Sequence, residues 1–257
     1  MPAELTLSLS TLYGFLLVLA RVGGALAFVP LPGIKQGPQA VRAVLALALA
    51  VVLFPRWPVV DDTVSMGRLT GWLILDTGLG ILFGVLVGFF AEAFQVMAQA
   101  VGLQAGYAYA SMVDPQTQAD SGVLLVFAQL TSGFLFFALG MDGVVVRAFA
   151  RSLETFPPGH WIPASIAIDA ITRLGTGMFT TGLRLALPAV ALLALVDLAL
   201  ALLGRLNAQL QLLTLSFPLK MMAAVGVLAL IAPLFPRVLG AYGHEISAAL
   251  KAVVEHP

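Results

Sequence analysis

The chain has 257 residues, of which 60% are hydrophobic and only 10% charged, and its mean hydropathy is +1.00. Charged side chains keep soluble surfaces wet, and soluble domains carry about 25% of them; a water-facing surface of this size is therefore excluded. Thirteen basic residues balance thirteen acidic ones and cysteine is absent, which removes a global field for nucleic acid, disulfides, thiolate metal sites and cysteine nucleophiles.

Taken in chain order, the start Met1-Pro2-Ala3-Glu4 offers no basic residue ahead of the first apolar run. That is a poor signal peptide, so the run is expected to stay in the mature protein. About 20 apolar residues are needed to cross a bilayer as helix. Leu12–Leu31 meets that length and closes at Pro30 and Pro32. Ala40–Phe54, about 15 residues, is marginal for a span. Leu69–Ala100 would be about 48 Å long as helix and is expected to project beyond the membrane or to break near Gly78–Gly80. Gly102–Gly122 is polar, has no basic residue, and separates two apolar helices. Val123–Phe149 reads as one apolar stretch, followed by a loop at Glu154–Pro163. Ile166–Leu203 contains Pro188 and predicts two helices or one kinked helix. A polar tip at Gly204–Gln211 leads to the last apolar run, Leu212–Leu239, interrupted by Pro218 and Pro233, and then a short tail.

Only helices and closed barrels satisfy their backbone in lipid. Long apolar runs without strict alternation argue against a barrel, so the expected fold is all-α and polytopic, with about six apolar helical segments. Arg56, Arg68, Arg147, Arg151, Arg237 and Lys251 fall on one side of such a topology, and Lys35, Arg42 and Arg205 on the other. The positive-inside rule then places both termini in the cytoplasm.

Catalytic signatures are missing. None of the lysines closes a G-x-x-x-x-G-K-[ST] loop, and no serine has glycine two residues before it, which leaves neither a phosphate loop nor a nucleophile elbow. His160, His244 and His256 lack metal-ligand spacing. The chain is expected not to be an enzyme, and no metal or cofactor is implied.

What remains is packing and charge. Gly80, Gly84 and Gly88 form a double G-x-x-x-G, and Gly102 and Gly106 repeat the spacing. Bare backbone at i, i+4 lets membrane helices approach closely, within one subunit or between subunits. Ionisable residues inside apolar segments are Arg21, Asp76, Glu92, Asp142, Arg173, Arg184, Asp197 and Lys220. Such residues face a bundle interior, a cavity or a partner; an ion relay and interhelix pairing are both open readings.

Several stretches, in order along nearly the whole chain, resemble the FliR family of the flagellar type III export apparatus. These are Leu19-Ala20-Arg21-Val22 leading to Pro30, then Lys35-Gln36-Gly37, and Gly102-Leu103-Gln104-Ala105-Gly106-Tyr107 through Val113-Asp114-Pro115. Arg151 through Gly159, Ala186-Leu187-Pro188, Leu203-Gly204-Arg205, Gln209 and Ser216-Phe217-Pro218-Leu219-Lys220 complete the set. The tip departs from the family pattern, with Ala208 before Gln209 where proline is usual and Ser216 where glycine is commoner. Leu183–Pro236 is also similar to the two-helix FliQ-type subunit. The resemblance implies a FliP-like half over about 1–165 and a FliQ-like half over about 166–257. It further implies an inner-membrane subunit of the flagellar basal body, part of a FliP–FliQ–FliR channel beside FlhB- and FlhA-type proteins, through which unfolded flagellar proteins pass. A pore plug would fall at about Tyr109–Gly122, with Tyr109, Met112, Val113, Asp114 and Pro115 in it; an ordinary interhelical loop is the alternative. The corresponding injectisome subunit and a secondary transporter are the rival readings, and the transporter requires an inverted repeat that the sequence does not show.

Overall fold

A computed structural model describes residues 9–30, 39–61, 63–107, 123–157, 159, 161, 165–206 and 212–255. Among them every regular element is helical: α1 (Leu9–Leu26), α2 (Gln39–Val52), α3 (Met66–Ala105), α4 (Val123–Ala138), α5 (Met141–Thr155), α6 (Ser165–Leu206), α7 (Leu212–Ile231) and α8 (Phe235–Glu255), with short 3-10 turns at Phe54–Arg56 and Ala232–Leu234. The polytopic all-α fold read from the sequence is the fold of the chain. Four of these stretches are long and apolar enough to cross a membrane, and the α4–α5 pair offers a fifth.

Helix α3 is the axis of the molecule. It is apolar on every side, as a helix surrounded by protein must be, and Leu79, Phe83, Leu86, Phe90, Phe94 and Met97 are fully buried. Neighbours cover it on several flanks. Phe149 of α5 meets Phe83 tilted at 5.7 Å, and Phe136 of α4 and Phe235 of α8 meet Phe90 and Phe94 edge-on at 5.9 and 4.8 Å. The helix does not break at Gly78–Gly80; it runs unbroken for 40 residues, because those glycines are held by packing against α1 and Trp161. It ends where Gly106 turns left-handed (φ 84°) and donates its N–H to the Gly102 and Leu103 carbonyls, the usual way a helix is stopped by glycine.

Two other boundaries differ from the expectation, and a third is decided between alternatives. The Val123–Phe149 stretch is two helices bent by 65°, because Gly140 (φ 69°) takes a conformation that other residues resist. Of the two readings of Ile166–Leu203 the structure has the single helix, α6, which continues through Pro188. The expected tail beyond Leu239 is the greater part of α8, a 21-residue amphipathic helix whose Leu239, Tyr242, Ile246, Leu250 and Val253 are buried. That helix returns antiparallel along α6: the Tyr242 hydroxyl donates to the Leu174 carbonyl at 2.6 Å, and Gly177 leaves room for its ring.

Candidate functional site: a buried arginine, a glycine seam and an open apolar face

The seam between α1 and α3 is built from absent side chains. A methyl group at Gly80 would lie 2.0 Å from the Arg21 carbonyl oxygen, at Gly84 2.4 Å from that of Ala25, and at Gly88 3.1 Å from that of Phe28. Successive turns of α3 thus touch successive turns of α1 backbone to backbone, with the two helices parallel. Gly24 returns the contact from α1, its bare Cα facing the Thr77 carbonyl. The glycines of α3 therefore meet a helix of the same chain. Gly102 has only ordinary contact with Leu124, at 3.9 Å. Gly106 is the glycine that ends α3. Spacing alone does not separate these two uses of glycine. A comparable close approach that the sequence did not flag is Gly182 of α6, where a methyl group would meet the Ala93 carbonyl oxygen at 2.6 Å.

Close approach brings Arg21 into the interior, where only 2% of it remains exposed, and Asp76 on α3 is equally buried. Nε donates to Asp76 Oδ1 at 2.8 Å, and Nη2 donates to the same oxygen. Nη1 donates to the Ser152 carbonyl at 2.8 Å and to its hydroxyl at 3.3 Å, while Nη2 also reaches the Phe156 carbonyl at 3.2 Å. The guanidinium thus neutralises a carboxylate and caps the last turn of α5, where helix carbonyls leave a partial negative charge. Three helices meet on one cation. Asp76 Oδ2 has no partner among the described residues. The sequence pointed to Arg21 and Asp76 as members of an apolar environment, but not to each other and not to Ser152.

At the opposite end of α3, Lys220 on α7 pairs with Asp197 on α6 at 2.8 Å, and the Gln104 amide donates to the same carboxylate at 3.0 Å. This ties α3, α6 and α7 together two residues before Gly106. Glu92 accepts from Gln95 at 2.8 Å on its own helix. Asp142 is exposed in the first turn of α5, a favourable place for a carboxylate. Arg173 and Arg184 are exposed on α6. Tyr109, Met112, Val113, Asp114 and Pro115 lie outside the described residues.

The open surface of α6 is apolar. Phe179, Leu183, Leu187, Leu195 and Leu198 recur at helical spacing with roughly half or more of each side chain exposed, Leu195 at 64%. Arg184 stands beside Leu183 and Leu187 on this stripe.

Over residues 12–245 the sequence matches the family described as bacterial export proteins, family 1. It is 29% identical to the flagellar biosynthetic protein FliR of Escherichia coli (strain K12) over 84% of this chain and 83% of that protein. Identity to the flagellar biosynthetic protein FliR of Caulobacter vibrioides is 25%, over 83% of this chain and 86% of that one. Against the protein of the same description in Bacillus subtilis it is 28%, over 80% and 81%.

Proposed function

The chain belongs to the bacterial export proteins, family 1, and on that premise we propose that it is the FliR-type subunit of a flagellar type III export gate. In this reading it joins FliP- and FliQ-type subunits around a channel for unfolded flagellar proteins in the inner membrane, beside FlhB- and FlhA-type proteins. Its relatives carry flagellar descriptions, which favours the flagellar over the injectisome assignment.

The observation that carries the proposal is the uncovered face of α6 with Arg184 in it. Lipid tails could cover the leucines but offer no acceptor to a guanidinium, whereas a neighbouring helix can supply one. The same face gives a membrane subunit a continuous surface for stacking against other helical subunits. The α6–α7–α8 hairpin, tied by Lys220 and Asp197, supports treating about 166–257 as a FliQ-like half and about 1–165 as a FliP-like half. The segment 109–122 is assigned to the plug on the strength of the family resemblance, since it connects the Gly106 stop of α3 to α4.

Coexpression of a tagged chain with FliP- and FliQ-type subunits tests the assignment. A complex that stays together through detergent extraction and gel filtration is expected. Recovery of the chain as a stable, monodisperse monomer beside unbound partners would overturn it.

A further inference from the structure

The 65° bend at Gly140 swings α5 away from α4 and lays it against α8. Between the two helices lies a groove of about 170 Å³. Its floor is apolar, with Val144 from α5 and Leu250 and Val254 from α8; its rim carries Arg147, Arg151 and Lys251. One acid answers these three cations. Glu255 pairs with Arg151 at 3.2 Å. Arg147 and Lys251 are exposed and have no hydrogen-bonding or ion-pairing partner among the described residues. The groove reaches the last turns of α5 and α8, and Glu154 in the last turn of α5 pairs with Arg56 at 3.0 Å. By the basic-residue count, Arg56, Arg147, Arg151 and Lys251 all fall on the side assigned to the cytoplasm.

We propose that this groove holds an anionic phospholipid, with the phosphodiester on Arg147 and Lys251 and the start of an acyl chain on the apolar floor. Basic pockets between helices at the cytoplasmic face suit such headgroups. The chemistry discriminates between ligands. A zwitterionic lipid brings its own cation to a rim that already has an excess of positive charge, and a free phosphate gains nothing from the floor. The proposal is independent of whether the 109–122 segment closes a pore.

The full chain, extracted from membranes with its bound subunits and stripped of lipid, is titrated with phosphatidylglycerol, phosphatidylcholine or inorganic phosphate, and retained ligand is read by native mass spectrometry. The parent is expected to retain phosphatidylglycerol over phosphatidylcholine. Removing both free cations, in Arg147→Gln with Lys251→Gln, should cut that preference roughly 25-fold, from the interaction typical of each basic residue near an anionic surface. Arg205→Gln, a basic residue at the other end of α6, should leave it intact. Ala148→Trp keeps every charge but fills the groove, and should lower phosphatidylglycerol retention as well. Equal retention of both lipids by the parent, or a full preference in the double variant, would overturn the site. Displacement of phosphatidylglycerol by inorganic phosphate at equal concentration would show an anion site without lipid character. Undiminished retention in Ala148→Trp would place the lipid on the charged rim outside the groove, contrary to the proposal.

Discussion

Alanine substitutions at Gly84 and Gly71, two glycines of the same helix, should move stability in opposite directions. A methyl group at Gly84 would lie 2.4 Å from the Ala25 carbonyl oxygen, 1.0 Å short of the 3.4 Å at which ordinary contact begins. Helix α1 must move outward by about that distance, since neither backbone can give way alone. Overpacking of this kind costs typically 1–3 kcal/mol. The displacement also reaches Arg21, one turn away, whose 2.8 Å bonds to Asp76 and Ser152 would stretch beyond hydrogen-bonding range. Losing part of that charged network adds about 1.5–3 kcal/mol. At Gly71 nothing stands within 4 Å, so alanine only relieves the entropic cost of a helical glycine and should stabilise by about 0.5–1 kcal/mol. Thermal unfolding of the detergent-extracted chain, followed by tryptophan fluorescence, would resolve the two. Gly84→Leu should abolish assembly with the protein still inserted in the membrane. Equal midpoints for the two alanine variants would show that α1 and α3 are not in backbone contact, and the seam would be wrong.

Asp76→Ala should destabilise by about 3–5 kcal/mol, because it strands a buried guanidinium, while Arg21→Met combined with Asp76→Leu should cost less than either single change; thermal midpoints of the four proteins decide it. Tyr242→Phe keeps the ring against Gly177 and loses only the bond to the Leu174 carbonyl, so a loss of about 0.5–1.5 kcal/mol is expected in the same assay. Deleting Met112–Ala119 should raise small-solute leak through the assembled complex about tenfold if closure weakens by 1.4 kcal/mol. A deleted complex that assembles and stays as tight as the parent would remove the plug assignment.

The reach of the sequence can be read from these residues. Gly80, Gly84 and Gly88 were legible because a four-residue spacing puts them on one face whatever the rest of the fold does. The partner of Arg21 was not, since Asp76 is 55 residues away and the other acceptors include the main-chain carbonyls of Ser152 and Phe156, which have no residue-type signature. Helix α8 was missed for a different reason. A search for continuous apolar runs passes over a helix interrupted by Arg237, His244, Glu245, Ser247 and Lys251, although Leu239, Tyr242, Ile246, Leu250 and Val253 carry the period in plain view. At Pro188 the sequence left two helices or one as open readings, and the structure has one, since a long helix packed along α3 and α8 tolerates one missing N–H.

The length of α6 has a consequence for the life of the chain before assembly. Its exposed large apolar side chains are spread from Ile168 to Leu203, about 53 Å at 1.5 Å per residue, with Arg173 and Arg184 exposed among them. The hydrocarbon core is about 30 Å thick. A rod of that length hidden wholly in the core would have to lean by roughly 55° from the bilayer normal, beyond the 0–40° over which membrane helices tilt. An upright copy instead leaves about 20 Å of stripe in headgroups or water, at a fraction of a kcal/mol for each ångström. A lone copy is thus uncomfortable in either posture, and in the proposed gate neighbouring subunits would cover the surplus. On the proposed function, that strain would bias the chain toward assembly and mark an orphan copy by its uncovered apolar surface.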